Sequence, residues 1–348
     1  MDKGSTEQSA NPRRFVSASD VARHAGVSRS AVSRTFTEGA SVSKETREKV
    51  LQSARALGYQ VNHLARGLIQ SRSNIVCLVT ADAHGPFRSS LVHTISRRLQ
   101  QNGKVPILII AEEDEPNIST ALDRIFQYRA DVTIVLSGTP PREITMGCLS
   151  NGQQVIHINR DDPDTGPDRI VFDHEEAAHS AFDIFQKAGI KHPALITSTR
   201  GTPSLLARQS AFLEIAEKAG IEVAVFSDTD APYDCGQAIG KRIFDPANRV
   251  SPRPDGAFCL SDLIALGFID AARCYHNLSI PEDIAVIGFD DIPQAHWKGY
   301  DLTTFRQSPD DVADAIMYLI HTREEKPSRS PEKITIPAKL VARGSFPV

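Results

Sequence analysis

From Ile75 onward the chain repeats one pattern, a short apolar run followed by an amphipathic stretch. The runs are "IVCLV", "VPILII", "DVTIVL", "QVIHIN", "RIVF", "ALIT", "VAVF", "GAFCL" and "IAVIGF". Short runs that are apolar on both faces belong in parallel sheets covered by helices above and below. Helical periodicity at 87–101, 118–128, 174–188, 205–219, 234–244 and 263–274 supplies the covering layer. So many strands call for two sheets. Ligands of such sheets bind beyond the carboxyl ends of the strands.

The front of the chain has a different grammar. Residues 1–14 are polar and lack apolar periodicity, as in a disordered tail. "SASD" (17–20) is a capping box that opens a helix, and Gly26 stops it. Ser28 caps a second helix through about Phe36, and Ser43 caps a third that carries Val50, Ala54 and Leu57 on one stripe and ends at Gly58. A second helix entered through a short turn containing glycine is a helix-turn-helix pattern.

Charge separates the two regions. Residues 1–72 hold twelve Lys/Arg against six Asp/Glu, whereas the remainder holds 27 basic and 37 acidic residues. A basic head on an acidic body suits a polyanionic partner, although charge alone fits a solvated basic tail equally well. With 348 residues, two or three domains are expected. No apolar run approaches the roughly 18 residues of a membrane span. The polar start "MDKGSTEQSANPRR" has no apolar core of a secretory signal. Five scattered cysteines without a CxxC pair point to a reducing compartment rather than to a disulfide framework or a zinc site. The expected location is therefore the cytoplasm.

The head reads "DVARHAGVSRSAVSR" and then "VSKETREKVLQSARALGY", and the far end reads "IPEDIAVIGFDD" and "LTTFRQ". In order and spacing these resemble the LacI/GalR family of transcriptional regulators over nearly the whole chain from about Ser17. The resemblance implies an α/β protein: a helix-turn-helix bundle (15–60), a hinge (61–73) and a periplasmic-binding-protein-like body (74–348). The body would have two subdomains with parallel sheets, one of about 74–172 plus 305–331 and the other of about 173–304 plus 332–348. The chain would cross between them near Asn159–Asp173, near Leu302–Arg306 and near Pro331.

The same resemblance implies roles for particular residues. The second helix would enter the major groove, with Ser28, Arg29 and Ser30 at its leading end and Ser33 and Arg34 on flanking or phosphate contacts. Arg29 is the expected base reader, because arginine bonds guanine bidentately. Asn62, Ala65, Arg66 and Leu68 would form a minor-groove hinge helix with Leu68 as the wedge. Two departures loosen that helix: Val61 stands where a proline is usual, and Gly67 lowers helix stability by roughly 1 kcal/mol relative to alanine. In the body, Asp82, Phe87, Asn159, Arg208, Ser261, Asp290 and Gln307 would face the effector. Ser261 replaces a frequent asparagine, and Asp262 beside it would cap the following helix. Trp297, the single tryptophan, fits either a ligand platform or a plug between subdomains.

Catalysis has no foothold. There is no Walker loop, nucleophile elbow or GxGxxG, and His174 and His179 are five apart rather than the four of a zinc helix. A free ligand-binding protein would suit the body but leaves the head unexplained. The expected protein is a cytoplasmic, nucleoid-associated homodimer that represses transcription at a near-palindromic operator and is released by a small, sugar-like effector. It would need no cofactor or metal and have no membrane partner. A corepressor-dependent repressor of the same fold is the alternative. No leucine heptad follows "ARGSFPV", so a tetramer through a C-terminal coil is not expected.

Overall fold

The computed structural model describes residues 15–37, 39–60, 72–81, 84–111, 115–136, 142–161, 166–199, 201–248 and 250–347. The chain divides after Ser73 into two compact units.

The first unit holds helices α1 (Ala18–Ala25), α2 (Arg29–Thr35) and α3 (Lys44–Leu57). Each starts where a serine oxygen can accept a free amide. Ser17 forms the capping box with Asp20, while Ser28 and Ser43 accept from the Ala31 and Thr46 amides, both at 3.2 Å. Gly26 and Gly58 end α1 and α3 at φ 65° and 64°, a left-handed turn that glycine enters without penalty. Val21, Ala22, Val32, Val50 and Ala54 form the core, edged by Phe36 against Tyr59. The Arg47 guanidinium caps α2 by donating to the Thr35 carbonyl at 3.0 Å.

The second unit opens with β1 (Ile75–Thr80), α4 (Pro86–Gln101), β2 (Val105–Ile110), α5 (Glu115–Gln127), β3 (Val132–Leu136), α6 (Arg142–Ser150), β4 (Gln154–Ile158) and β5 (Asp168–Asp173). It continues with α7 (His174–Lys187), β6 (Pro193–Ser198), α8 (Pro203–Lys218), β7 (Ala224–Asp228), α9 (Pro232–Phe244), β8 (Gly256–Cys259), α10 (Asp262–His276) and β9 (Ala285–Asp290). The last elements are β10 (Thr303–Arg306), α11 (Pro309–Glu325), β11 (Lys333–Pro337) and β12 (Lys339–Val341). One sheet runs β11-β5-β4-β3-β1-β2 and the other β12-β10-β9-β8-β6-β7. All pairs are parallel except β10 with β12. Apolar cores lie on both faces of both sheets, so the central strands are apolar throughout, whereas the edge strand β2 is apolar although Val105, Leu108 and Ile110 are exposed.

All nine apolar runs are strands. Three further strands, β10 to β12, and helices α6 and α11 lay outside that pattern. The edge strands β11 and β12 ("KITIP", "KLV") carry exposed lysines and lack a continuous apolar run.

The crossings also need correction. The chain leaves the first sheet at Asp173, and β10 pairs with β9 in the second, so the return comes only after Arg306. The third crossing is not near Pro331. Residues 333–337 pair with β5 in the first sheet, and only the segment from Ala338 onward belongs to the second. Asp168 explains this. Its fully buried carboxylate accepts from Arg329 at 2.7 and 2.9 Å and from the Glu332 amide at 2.8 Å. That clamp delivers β11 to the edge of β5. Among the described residues no helix is long and apolar enough to cross a membrane.

Candidate functional site

On α2 the sequence divides sharply between inside and outside. Val32 and Thr35 are buried, while Ser28, Arg29, Ser30, Ser33 and Arg34 are all exposed. Ser28 Oγ is spent on the cap and on a 2.9 Å contact with Ser30 Oγ, which fixes both hydroxyls at the helix tip. Arg29 is the first helical residue. The Arg34 Nε lies 3.4 Å from the Ser30 carbonyl, along the helix surface. A rigid, capped helix thus presents two guanidiniums and three serines on one face. Asn62, Ala65, Arg66 and Leu68 of the expected hinge, and Asp82 of the expected cleft, lie outside the described residues.

In the body, the ends of the second sheet's strands converge on Arg208. Its guanidinium is buried (3% exposed), donates to the Leu260 carbonyl just past β8 and lies 3.8 Å over the Phe289 ring. Burial pushes its pKa down to about 10, and the nearby Asp290 and Asp262 carboxylates oppose that shift. Asp290, the last residue of β9, accepts from the Gln307 amide just past β10. Burial raises the Asp290 pKa above the carboxylate range, against the pull of Arg208 and Gln307.

Several polar atoms around this cluster are enclosed and have no hydrogen-bond partner: Asn159 Oδ1, Ser198 Oγ, Arg208 Nε, Gln307 Oε1 and His174 Nδ1. Buried polar atoms are ordinarily satisfied, so such a concentration at strand ends marks places a ligand can fill. Asn159 follows β4 with φ 58°, its backbone N–H donating to Ile170 at 2.8 Å, which leaves the side chain free. His174 sits 5.9 Å from the Phe289 ring and is held neutral, with burial and then Arg208 lowering its pKa to about 3.

Two cavities open here. One of about 520 Å³ is lined by Asn159, Asp173, His174, Ser204 and Ala207 among others. The other, about 440 Å³, is lined by Phe87, Asp290, Asp291, His296, Arg306 and Gln307 among others. The expected effector residues are therefore divided. Asn159 lines the first, Phe87, Asp290 and Gln307 line the second, and Arg208 and Ser261 line neither, Arg208 lying buried behind them. Phe87 packs against cores of both sheets and 6.5 Å from Phe172, so it also joins the two halves.

Three expectations change. Ser261 is the N-cap of α10, its Oγ accepting from the Ile264 amide at 3.4 Å. Asp262, expected as a possible cap, instead points inward, fully buried, and accepts from Thr304 Oγ1 at 2.5 Å and from the Ile292 amide at 2.8 Å. Burial and Asp290 raise its pKa. Trp297 is 57% exposed beside Tyr300 and lines neither cavity, so it is neither a platform in them nor a plug. Asp173 caps α7 through the Glu176 amide at 2.9 Å, and no cluster of metal-ligating side chains occurs among the described residues. His174 and Ser198 were missed, because no local spacing announces them.

Comparison with known proteins agrees with this architecture. Residues 18–62 match the bacterial regulatory proteins of the lacI family, and residues 182–346 match the periplasmic binding protein-like domain. The ribose operon repressor of Halalkalibacterium halodurans is 27% identical over 325 residues, 93% of this chain and 95% of its own. The transcriptional repressor CytR of Escherichia coli K12 is 24% identical over 328 residues, 94% of this chain and 95% of its own. The lac repressor dimer bound to operator and the anti-inducer ONPF superposes with a TM-score of 0.84 at 21% identity, over 95% of this chain and 99% of that one. The chain thus joins a lacI-family helix-turn-helix domain to a periplasmic binding protein-like domain, and the relatives it matches along nearly their full length are transcriptional repressors.

Proposed function

We propose that this protein is a homodimeric repressor that reads a near-palindromic operator with α2 and releases it when a small polyhydroxylated ligand, a sugar or sugar derivative, enters the body. The observation that carries the reading is the set of unpartnered buried atoms on Asn159, His174, Ser198, Arg208 and Gln307. Amide oxygens and the Asp290 carboxylate offer acceptors for ligand hydroxyls, and Arg208 Nε offers a fixed donor. A relative that represses a ribose operon and a lac repressor dimer bound to operator accord with repression by a dimer, and a fold relative from Enterococcus faecium holds bound ribose. Two-fold symmetry then matches one head to each half-site. The protein would act in the cytoplasm, on the nucleoid, with Arg29 reading a base, Ser33 and Arg34 on the backbone and Leu68 wedged in the minor groove.

The test is selection of bound duplexes from a randomised pool by the full chain. A two-fold symmetric site is expected. Arg29→Ala should weaken its binding by about 1–3 kcal/mol and relax preference at one base pair per half-site. Enrichment of asymmetric sequences, or an Arg29→Ala protein with unaltered preference, contradicts the reading.

A further inference from the structure

The carboxylate that accepts from Gln307 stands on an unusual piece of backbone. Asp290 and Asp291 are consecutive non-glycine residues at φ 125° and 57°. Side chains resist that region, and such conformations persist only where surrounding contacts over-determine them. Something must hold this turn.

The holding groups come from three places. From inside the sheet, Asp262 accepts the Ile292 amide at 2.8 Å. From the neighbouring strand, Arg306 Nε donates to Asp291 at 2.5 Å. From the far end of the chain, the Arg343 guanidinium donates to the other Asp291 oxygen at 2.6 Å and to the Leu302 carbonyl at 2.5 Å. The Asp291 side chain is 3% exposed and that of Arg343 10%, so both charges lie beneath the surface, where an ion pair is least screened. His296 adds a ring nitrogen 3.4 Å from the same Asp291 oxygen.

Arg343 is itself fixed. Its amide and carbonyl exchange hydrogen bonds with Thr303 Oγ1 at 2.8 and 2.9 Å. Two residues on, Ser345 Oγ donates to the Val286 carbonyl at 2.7 Å and accepts the Thr303 amide at 2.8 Å. Phe346 is buried against Phe185, with ring centroids 5.1 Å apart. The segment 343–346 is thus inlaid beside β9 and β10, and its one cation reaches the residue next to Asp290.

We propose that Arg343 is a positioning residue of the effector cleft: by clamping Asp291 it holds the left-handed turn that aims the Asp290 carboxylate at Gln307 and at the cavity both residues line. This rests on the reading of the cleft as the effector site. The C-terminal segment is then part of the binding apparatus, although no atom of it touches the ligand.

The test follows the Asp290 carboxyl directly in the ligand-free full chain, by carbon-13 NMR of labelled aspartate, with the signal identified by its loss in Asp290→Asn. Arg343→Met should move the Asp290 titration midpoint by about half a pH unit or more, because the carboxyl leaves the Gln307 amide that donates to it. Asp291→Asn, which weakens the clamp from the other side with little change of shape, should move it the same way. Arg343→Lys should restore part of the shift. Should Arg343→Met fail to fold, Asp291→Asn decides. A folded variant of either position that melts lower but titrates at Asp290 as the parent does would reduce Arg343 to a structural residue and overturn the proposal. Effector binding is scored separately, by thermal shift with D-ribose, D-glucose, cellobiose and adenosine. Failure of the clamp and failure of the cleft are therefore distinguishable.

Discussion

His174 shows how one side chain can record the state of the cleft. Its imidazole is neutral because burial and the Arg208 charge disfavour protonation, and its pKa falls from the ordinary 6.5 to about 3. The unfolded chain therefore binds a proton below about pH 6.5 that the folded chain does not, and stability rises with pH across that interval. The stabilising contribution is present above pH 6.5 and is lost as pH falls toward 3. Asp262 and Asp290 have the opposite sign. Their raised folded values mean that they lose stability as pH rises through the range above ordinary carboxylates. His174→Gln keeps a polar side chain and removes the titration. Between pH 7.5 and 4.5 the parent's melting temperature should fall further than the variant's, as scanning calorimetry can follow. Parallel pH profiles would show that His174 is protonated in the fold.

Helices α9 and α10 show how elements are matched to each other. Gly236 and Gly267 face one another across their contact, where a Cβ on Gly267 would run into the Tyr233 carbonyl and one on Gly236 into the Ile264 carbonyl. Backbone touches backbone there, so no side chain can yield. Gly267→Ala should destabilise the body by about 1–3 kcal/mol, as overpacking does, and urea unfolding measures this. A loss within about 0.5 kcal/mol would mean that the helices part freely. That contact was invisible in the sequence, because a glycine in a helical stretch reads only as a weak helix former. Ser17, Ser28 and Ser43, by contrast, were legible, since a cap is decided by its own turn. The central apolar runs were legible for a similar reason, since burial on both faces leaves few polar positions. Where meaning depends on convergence, the sequence fell silent. Ser198 and His174 matter because distant strand ends meet, Asp262 points inward because Thr304 and Ile292 await it, and β11 joins the first sheet because Asp168 holds Arg329.

For the whole molecule, the account requires that ligand and operator bias one equilibrium. A ligand shifts that equilibrium only through differential affinity for its two states, and couplings of this kind are typically about 5–150-fold. The chain crosses between the sheets at three places, near residues 173, 307 and 338, and a movement of the two halves that the ligand biases would pass through these crossings. Asp290 ends β9, and Arg208 reaches from α8 to the Leu260 carbonyl just past β8. If the cleft between them takes the effector as proposed, removing either should leave ligand groups unpaired, a loss of roughly 1–3 kcal/mol.

The most direct measurement is operator affinity of the full chain, by fluorescence anisotropy, with and without D-ribose, D-glucose, cellobiose or adenosine, for the parent and for Arg208→Ala. At least one of these probes should weaken the parent's operator binding by about fivefold or more, and Arg208→Ala should bind operator as the parent does yet ignore that probe. A folded Arg208→Ala protein that responds as the parent does, or a parent whose operator affinity none of the probes alters, would contradict the account.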